Sequence, residues 1–242
     1  MRTSPSFLVL EPHRSVVAEL LVEAQADPDV VGILLIGSLA RGNAVPGSDV
    51  DVLLLVDDGR SQERPTQHEE RHGVWVERHY RDTAWAIAQF NRSPEWLYPY
   101  TEGRLLHDPR GDLAALVARA HDHLLAYRTP RPERERLRFI ADRQLDKLAA
   151  ALAAEDFERA ATIVGFGAHA FLSFLCAAYD RPPVGPTNVW LQLPTIPGLP
   201  PALAKQARAL ILGTAAERVE ATRASCAAII ARLDATGREP VA

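Results

Sequence analysis

Cysteine is scarce in this sequence. Only Cys176 and Cys226 occur among the 242 residues, and each lies in an alanine-rich apolar segment. Thiols in such surroundings pack as small apolar side chains, and two distant cysteines suggest neither a disulfide framework nor a metal site. The pattern favours a reducing compartment, and we predict a cytoplasmic protein.

An excess of positive charge is also lacking. The 27 lysines and arginines are outnumbered by 31 aspartates and glutamates, so the formal net charge is −4. This charge provides no broad attraction to nucleic acid or to an anionic membrane, although it is compatible with a local basic patch. Any recognition of phosphate must therefore be local.

Long apolar runs are absent as well. No stretch approaches the roughly 18 apolar residues that a membrane-spanning helix needs. The N-terminal MRTSPSFLVLEPHR lacks the apolar core and the small-residue cleavage site of a signal peptide. We therefore expect neither a membrane span nor an export signal.

Hydrophobic periodicity divides the sequence into a mixed half and a helical half. Short apolar runs bounded by turn residues predict strands at 30–36, 50–56, 73–80 and 104–107. A helix at 15–26, with Ser15 as its N-cap, precedes them, and the polar stretch 60–72 is typical of a surface loop. Helical spacing then predicts helices at 112–126, 133–154, 157–179, 201–212 and 215–233.

The best candidate for a linker between the two halves is Thr129-Pro130-Arg131-Pro132. We therefore predict an α+β fold with two domains. Residues 1–128 would form a mixed sheet with helices, and residues 129–242 would form a helical bundle.

Two aspartates, Asp49 and Asp51, stand at the head of an apolar run. Alternate side chains of a strand project from the same face, so these carboxylates are expected side by side. Adjacent carboxylates repel each other, and a divalent cation removes that repulsion. Oxygen ligands of this kind suit Mg²⁺, which binds through a few carboxylates together with substrate phosphates. The pattern therefore predicts a Mg²⁺ site.

A second pattern, Gly37-Ser38, lies between the first predicted strand and a turn. Glycine permits close approach of the backbone, and the amides of a turn or helix start, with a serine hydroxyl, are natural donors to phosphate. Together with the aspartates, it indicates a site for a metal ion and a phosphate group. Either pattern alone would also fit a turn before an exposed strand start.

The two patterns occur in a defined order, because Ile36-Gly37-Ser38 is followed after ten residues by Asp49-Val50-Asp51-Val52. This arrangement resembles the signature of the DNA polymerase beta superfamily of nucleotidyltransferases. GSLARG and GSDVD are especially similar to its small-molecule and minimal nucleotidyltransferase branches. The small-molecule branch includes antibiotic nucleotidyltransferases with a C-terminal helical region. The resemblance implies that residues 1–128 are a nucleotidyltransferase domain that uses Mg²⁺ and ATP or another nucleoside triphosphate.

By this resemblance, Asp49 and Asp51 are catalytic metal ligands, and a third carboxylate on a later strand joins them. Glu77 in GVWVERHY occupies that position and shares a strand face with His79. The alternative for Glu77 is a solvated strand residue paired with a nearby arginine. Asp82 would then be the third carboxylate.

The same resemblance assigns further residues to the nucleotide. Gly37 and Ser38 would hold the β- and γ-phosphates, and Arg41 would add positive charge there. Arg41 is equally compatible with the surface of a short helix. Ser48 would either cap the approach to Asp49 or form the turn before it.

Lys147, one of only two lysines, is the candidate from the helical half. It would reach the triphosphate, although a charge on a solvated helix face explains it as well. Asp142 on the same predicted helix is a candidate general base with the same alternative.

The predicted function is Mg²⁺-dependent transfer of a nucleoside monophosphate, AMP from ATP, to a hydroxyl of a small molecule, with release of pyrophosphate. An aminoglycoside-like or lincosamide-like acceptor is the example that the resemblance implies. Two alternatives stay open. One is nucleotidylation of a protein or a tRNA, and the negative charge weighs against RNA. The other is a nucleotide-binding module without turnover, which convergence of Glu77 with the two aspartates would disfavour.

Overall fold

The computed structural model describes residues 10–182, 185 and 189–236. The chain divides into two compact units, Met1–Ala126 and Tyr127–Ala242, with the break close to the domain boundary predicted after residue 128. The fold is α+β, as predicted, because the first unit holds a mixed sheet and the second is helical.

The first unit contains both helices and strands in its described part. Its elements are α1 (His13–Ala26), β1 (Val30–Ile36), α2 (Gly37–Arg41), β2 (Val50–Val56), β3 (Gln67–Arg71), β4 (Val74–Arg81), α3 (Thr83–Arg92), α4 (Leu97–Glu102), β5 (Arg104–His107) and α5 (Asp112–Ala126). Short 3-10 turns at Arg60–Glu63 and Pro94–Trp96 complete it.

The described strands form one sheet in the order β3-β4-β2-β1-β5. β1 pairs antiparallel with β2 and β5, and β3 pairs antiparallel with β4. β2 and β4 run parallel to each other. Residues at matching positions of β2 and β4 therefore lie side by side on the same face of the sheet.

Both faces of the sheet are packed, which explains why β1 is buried along its whole length. Alternate residues of β2, including Val52 and Leu54, pack against α1 and α2 on one face. Leu53 and Leu55 pack on the opposite face against α3, α4 and α5. The period of two in β2 thus determines which side chains face each layer.

The stretch 60–72 was predicted as a loop, and that prediction is wrong, because β3 forms within it. β3 has the sequence QHEER, is at the edge of the sheet and buries no residue, so it lacks the apolar alternation that marks a half-buried strand. Its register follows from a tight turn at His72 and Gly73, both with positive φ. Ion pairs such as Arg78–Glu69, at 2.5 Å, join the two strands of this hairpin.

Two helix predictions also differ from the structure. α1 begins at His13, so the predicted N-cap Ser15 lies inside the helix, where its hydroxyl donates to Glu11 Oε2 at 3.0 Å. The helix predicted at 201–212 is two shorter helices, Pro201–Ala207 and Ala209–Leu212. Both differences concern element boundaries, while the predicted helix type is correct.

The second unit consists of helices joined by irregular segments in its described part. The helices are α6 (Arg131–Ala153), α7 (Phe157–Ala178), α8 (Val189–Gln192), α9 (Pro201–Ala207), α10 (Ala209–Leu212) and α11 (Ala215–Thr236). α6 and α7 share an apolar core around Leu148, Ala151, Ala160 and Val164, and Val219 of α11 packs against it. This arrangement is the predicted helical bundle.

Of the helices that the structure describes, none taken singly has the length and apolar composition of a membrane span. The two parts of α7, Phe157–Gly165 and Gly167–Ala178, pass such a test only together, and they are bent by 52°.

Asp82, the alternative third carboxylate, is a structural residue at the start of α3. Its side chain is 4% exposed and accepts hydrogen bonds from the Trp85 amide at 2.7 Å, the Gly59 amide at 3.3 Å and the Ser61 hydroxyl. Burial opposes ionisation, but these hydrogen bonds prevail and hold the pKa of Asp82 below its usual value. Asp82 therefore caps the helix and anchors the loop after β2.

Replacing Asp82 with alanine is expected to lower the free energy of unfolding by about 1–3 kcal/mol, because a cap and two further hydrogen bonds are lost. Urea unfolding measures the effect. Because the folded pKa lies below the unfolded one, the contribution of Asp82 is present above about pH 4 and disappears as the pH falls further. Asp58→Ala, at an exposed carboxylate nearby, is the control; equal losses in both variants would contradict the role of Asp82.

Candidate active site

Asp51 and Glu77 lie side by side at the centre of the candidate site. They are register partners across the parallel pair of β2 and β4. Both alternate with apolar residues that pack toward α1, so both carboxylates project from the opposite face. The structure therefore brings together two of the three carboxylates predicted as metal ligands.

His79 lies beside these carboxylates, and the sequence analysis did not identify it as a candidate metal ligand. It follows Glu77 by two residues on β4 and shares its face. One ligand atom from each of Asp51, Glu77 and His79 lies within 4.8 Å of the others. The alternation of side chains in GVWVERHY had already predicted that Glu77 and His79 share a strand face. It had not been used to predict His79 as a metal ligand.

Asp49 is placed just before β2 in an exposed position. It lies outside the group of three ligand atoms, but its charge acts on Asp51. The turn before it is closed by Ser48, whose hydroxyl accepts from the Val45 amide at 2.9 Å. Of the two roles predicted for Ser48, this geometry matches the turn.

A buried histidine holds that turn against α1. His13 is 2% exposed, and its Nε2–H donates to the carbonyl of Ser48 at 2.7 Å. The loop that carries Asp49 is thereby attached to a helix that comes much earlier in the chain. No local sequence pattern identifies this contact, because the two residues are separated by a whole strand and helix.

The ionised form of the Asp51 carboxyl is destabilised by its surroundings. Burial of its carboxyl, followed by the charges of Asp49 and Glu77, raises the pKa of Asp51 to about 7, although Arg41 opposes the shift. Burial also lowers the pKa of His79 against the opposing charge of Glu77. The metal-free site is therefore a place where adding positive charge lowers the free energy.

Gly37 fits closely beneath Asp51. Its φ is +71°, and a Cβ atom at this position would lie 2.1 Å from Asp51 Oδ2. Next to it, the hydroxyl of Ser38 is buried and has no hydrogen-bond partner among the described residues. The predicted Gly37-Ser38 element therefore adjoins the carboxylates, and the serine is available for a ligand.

Arg41, at the last turn of α2, makes an ion pair with Glu102 of α4, with 3.3 Å between Nη1 and Oε2. Its charge also reaches Asp51, where it partly offsets the rise in pKa. Arg41 is mostly buried, with 18% of its side chain exposed, which does not match the solvated helix surface considered as its alternative.

Lys147 belongs to the second unit. It is exposed on α6 and lines a cavity of about 330 Å³ together with Gln144, Thr162, Phe171 and Phe174. Asp142 is also exposed on α6. The structure therefore places Lys147 at a cavity within the helical unit, and its predicted contact with a triphosphate stays a prediction.

The donor set fits a divalent cation. Carboxylate oxygens of Asp51 and Glu77, an imidazole nitrogen of His79 and the nearby carboxylate of Asp49 are all metal-ligand types. Burial of Asp51, followed by the charges of Asp49 and Glu77, raises its pKa although Arg41 opposes the shift, so a cation beside Asp51 would be favoured. The buried hydroxyl of Ser38, which has no partner in the described part of the chain, adds a donor for an anionic group beside the cation.

Comparison with known proteins agrees with this geometry. Residues 17–97 match the family described as nucleotidyltransferase domain, a stretch that contains every candidate of the first unit. No curated protein sequence matches the chain. A solved structure of a nucleotidyltransferase-like protein from Exiguobacterium sibiricum aligns over 90% of this chain and 73% of its own, with 15% identity and a TM-score of 0.39. A structural similarity this low adds nothing to the domain match.

Asp51→Asn is expected to stabilise the metal-free protein while it removes divalent-cation binding. Above about pH 7 the wild-type carboxyl must ionise against burial and two like charges, and the amide avoids this cost. The gain should be on the order of 2–4 kcal/mol at pH 8 and vanish near pH 3, below the unfolded pKa, where the carboxyl is protonated in both folded and unfolded chains. Urea unfolding in EDTA at both pH values measures it; a gain independent of pH would contradict it.

Gly37→Ala is expected to displace the carboxylate of Asp51 and weaken divalent-cation binding by about 10-fold or more, the size of effect seen when ligand support is lost. Gly42→Ala is the matched control, because Gly42 ends the same helix with φ +76° but has no atom within 4 Å of an added Cβ. Both variants carry the cost of a positive φ, about 1–2 kcal/mol. Only Gly37→Ala should lose the cation, as measured by calorimetric titration; equal affinities would contradict the close fit.

Proposed function

We propose that the segment 17–97, which matches the nucleotidyltransferase domain family, transfers AMP from ATP to a hydroxyl of a small molecule. The proposed reaction is Mg²⁺-dependent and releases pyrophosphate. The convergence of Asp51 and Glu77 beside Gly37 and Ser38 is the observation that carries the proposal. The alternative of a binding module without turnover would be disfavoured by convergence of all three carboxylates, and the described group contains two of them, Asp51 and Glu77.

Asp49, Asp51 and Glu77 would hold the divalent cation, with His79 beside them. When bound, such a cation stabilises negative charge on the attacking and leaving oxygens of a displacement at phosphorus. Asp51 and Glu77 are held side by side on two paired strands, and this rigid arrangement would orient a nucleotide bound with its cation. Burial of Asp51 strengthens each of these electrostatic interactions.

Gly37, Ser38 and Arg41 would bind the β- and γ-phosphates. The backbone at Gly37 is close to Asp51, the hydroxyl of Ser38 is free to donate, and Arg41 supplies a guanidinium held by Glu102. The acceptor oxygen bonds to the α-phosphorus and releases its proton to solvent, while the bond from the α-phosphorus to the bridging oxygen breaks and its electron pair leaves with pyrophosphate. Hydrogen bonds donated by Ser38 and Arg41 to the departing pyrophosphate would lower the barrier to that cleavage.

A small-molecule acceptor is supported by two features. The net charge of −4 is unfavourable for a nucleic acid, whose binding depends on neutralising phosphates. The helical unit has a cavity of about 330 Å³, which lies in the size range of small-ligand pockets. Aminoglycoside-like and lincosamide-like compounds are the first acceptors to test, with Lys147 as a proposed contact to the nucleotide.

The proposal predicts that label from [α-³²P]ATP, and not from [γ-³²P]ATP, appears on an acceptor in the presence of Mg²⁺. The panel contains aminoglycosides, lincosamides, tRNA and a protein extract, so the acceptor class is an outcome of the same experiment. The double variant Asp49→Ala/Asp51→Ala should lower the rate by about 100-fold or more, as expected for lost transition-state stabilisation. Gly42→Ala serves as the folded control.

Two outcomes would contradict the proposal. Transfer of the γ-label would identify a phosphoryl transfer, and transfer that persists in the double variant would remove the carboxylates from the reaction. Label on tRNA or protein alone would exclude the small-molecule acceptor.

A further inference from the structure

His79 is set in the same small volume as the carboxylates of Asp51 and Glu77. Their three ligand atoms lie within 4.8 Å of one another. Ligands on opposite sides of an octahedral divalent ion are roughly 4.2 Å apart, because each bond is about 2.1 Å long. A small inward movement of the side chains is therefore sufficient for all three atoms to bind one ion.

The imidazole of His79 is oriented for this role by its surroundings. Its Nδ1 lies 3.4 Å from the hydroxyl of Thr66, and its Nε2 lies 3.5 Å from Glu77 Oε1. The ring packs nearly perpendicular to that of Trp96, with 6.3 Å between centroids, and only 14% of the His79 side chain is exposed. A hydrogen bond to one ring nitrogen is the usual device that directs the other nitrogen toward a metal.

A second histidine shows what a simple contact with Glu77 looks like. His68 on β3 is the register partner of Glu77, and its Nδ1 lies 4.0 Å from the same Oε1 atom. However, 61% of its side chain is exposed, and it does not belong to the group that includes Asp51. His79 differs from His68 because it is enclosed and close to both carboxylates.

We propose that Nε2 of His79 is a direct ligand of the divalent cation, together with Asp51 and Glu77, and that this nitrogen makes the site prefer transition-metal ions such as Co²⁺ over Mg²⁺. Imidazole binds transition-metal ions more strongly than it binds Mg²⁺, which favours oxygen ligands. The inference rests on the metal site of the proposed function, and it adds the class of ion that this site selects.

The test measures metal binding to the full chain without nucleotide or acceptor. Dissociation constants for Co²⁺, Mn²⁺ and Mg²⁺ are obtained by calorimetric titration and competition, and pulsed electron paramagnetic resonance of bound Mn²⁺ detects a coordinated nitrogen. The variants are His79→Gln, His79→Glu and the matched control His68→Gln. Thermal unfolding of each variant establishes that it is folded.

In the wild type we expect a nitrogen coupling on Mn²⁺. His79→Gln should lose this coupling and weaken Co²⁺ binding by about 10-fold or more, while Mg²⁺ binding changes by less than about 3-fold. His79→Glu should bind Mg²⁺ at least as well as the wild type, without nitrogen coupling. His68→Gln should retain both the coupling and the preference.

Three results would overturn the inference: no nitrogen coupling in the wild type, equal loss of Co²⁺ and Mg²⁺ affinity in His79→Gln, or the same loss in His68→Gln. Failure of the proposed function is distinguishable, because it would appear as absent transfer of the α-label by a protein that still binds Co²⁺ through His79.

Discussion

The close approach of Asp51 and Glu77 on two parallel strands is the constraint on which the rest of the site depends. Backbone hydrogen bonds of the sheet keep the two carboxylates side by side, so their repulsion cannot be relieved by moving apart. Burial and the neighbouring charges raise the pKa of Asp51 to about 7. The sheet therefore holds carboxylates close together at a place where a cation would reduce their repulsion. This repulsion lowers the stability of the metal-free fold and favours cation binding.

The elements around this pair keep the site open to a ligand. Gly37 has no side chain to collide with Asp51, and its positive φ turns the backbone into α2 beneath the carboxylate. His13 attaches the loop that carries Asp49 to α1. The carboxyl of Asp82 accepts hydrogen bonds from the backbone and caps α3, whereas Glu77 lies beside Asp51. Each of these residues helps to hold a neighbouring part of the site in place, and such supporting contacts make a small site rigid.

The two units of the chain offer different chemistry. The first supplies carboxyl, imidazole and hydroxyl groups in and beside its sheet, which are ligand types for a cation and a phosphate group. The second contains a cavity with Phe171, Phe174 and the ammonium group of Lys147, which combines apolar surface with positive charge. This combination is a usual property of pockets that bind small molecules through an apolar body and a few polar contacts.

The sequence by itself determined the features that depend on neighbours along the chain. The bounds of β1 and β2, the Gly37-Ser38 element and the pair Asp49 and Asp51 follow from local periodicity and spacing. Tertiary structure alone decided the contacts between distant segments. The parallel register of β2 and β4 put Glu77 beside Asp51, and the same register brought His79 into the group. Edge strand β3 forms by backbone pairing with β4. Its side chains are polar and show no apolar alternation, so the sequence did not predict it.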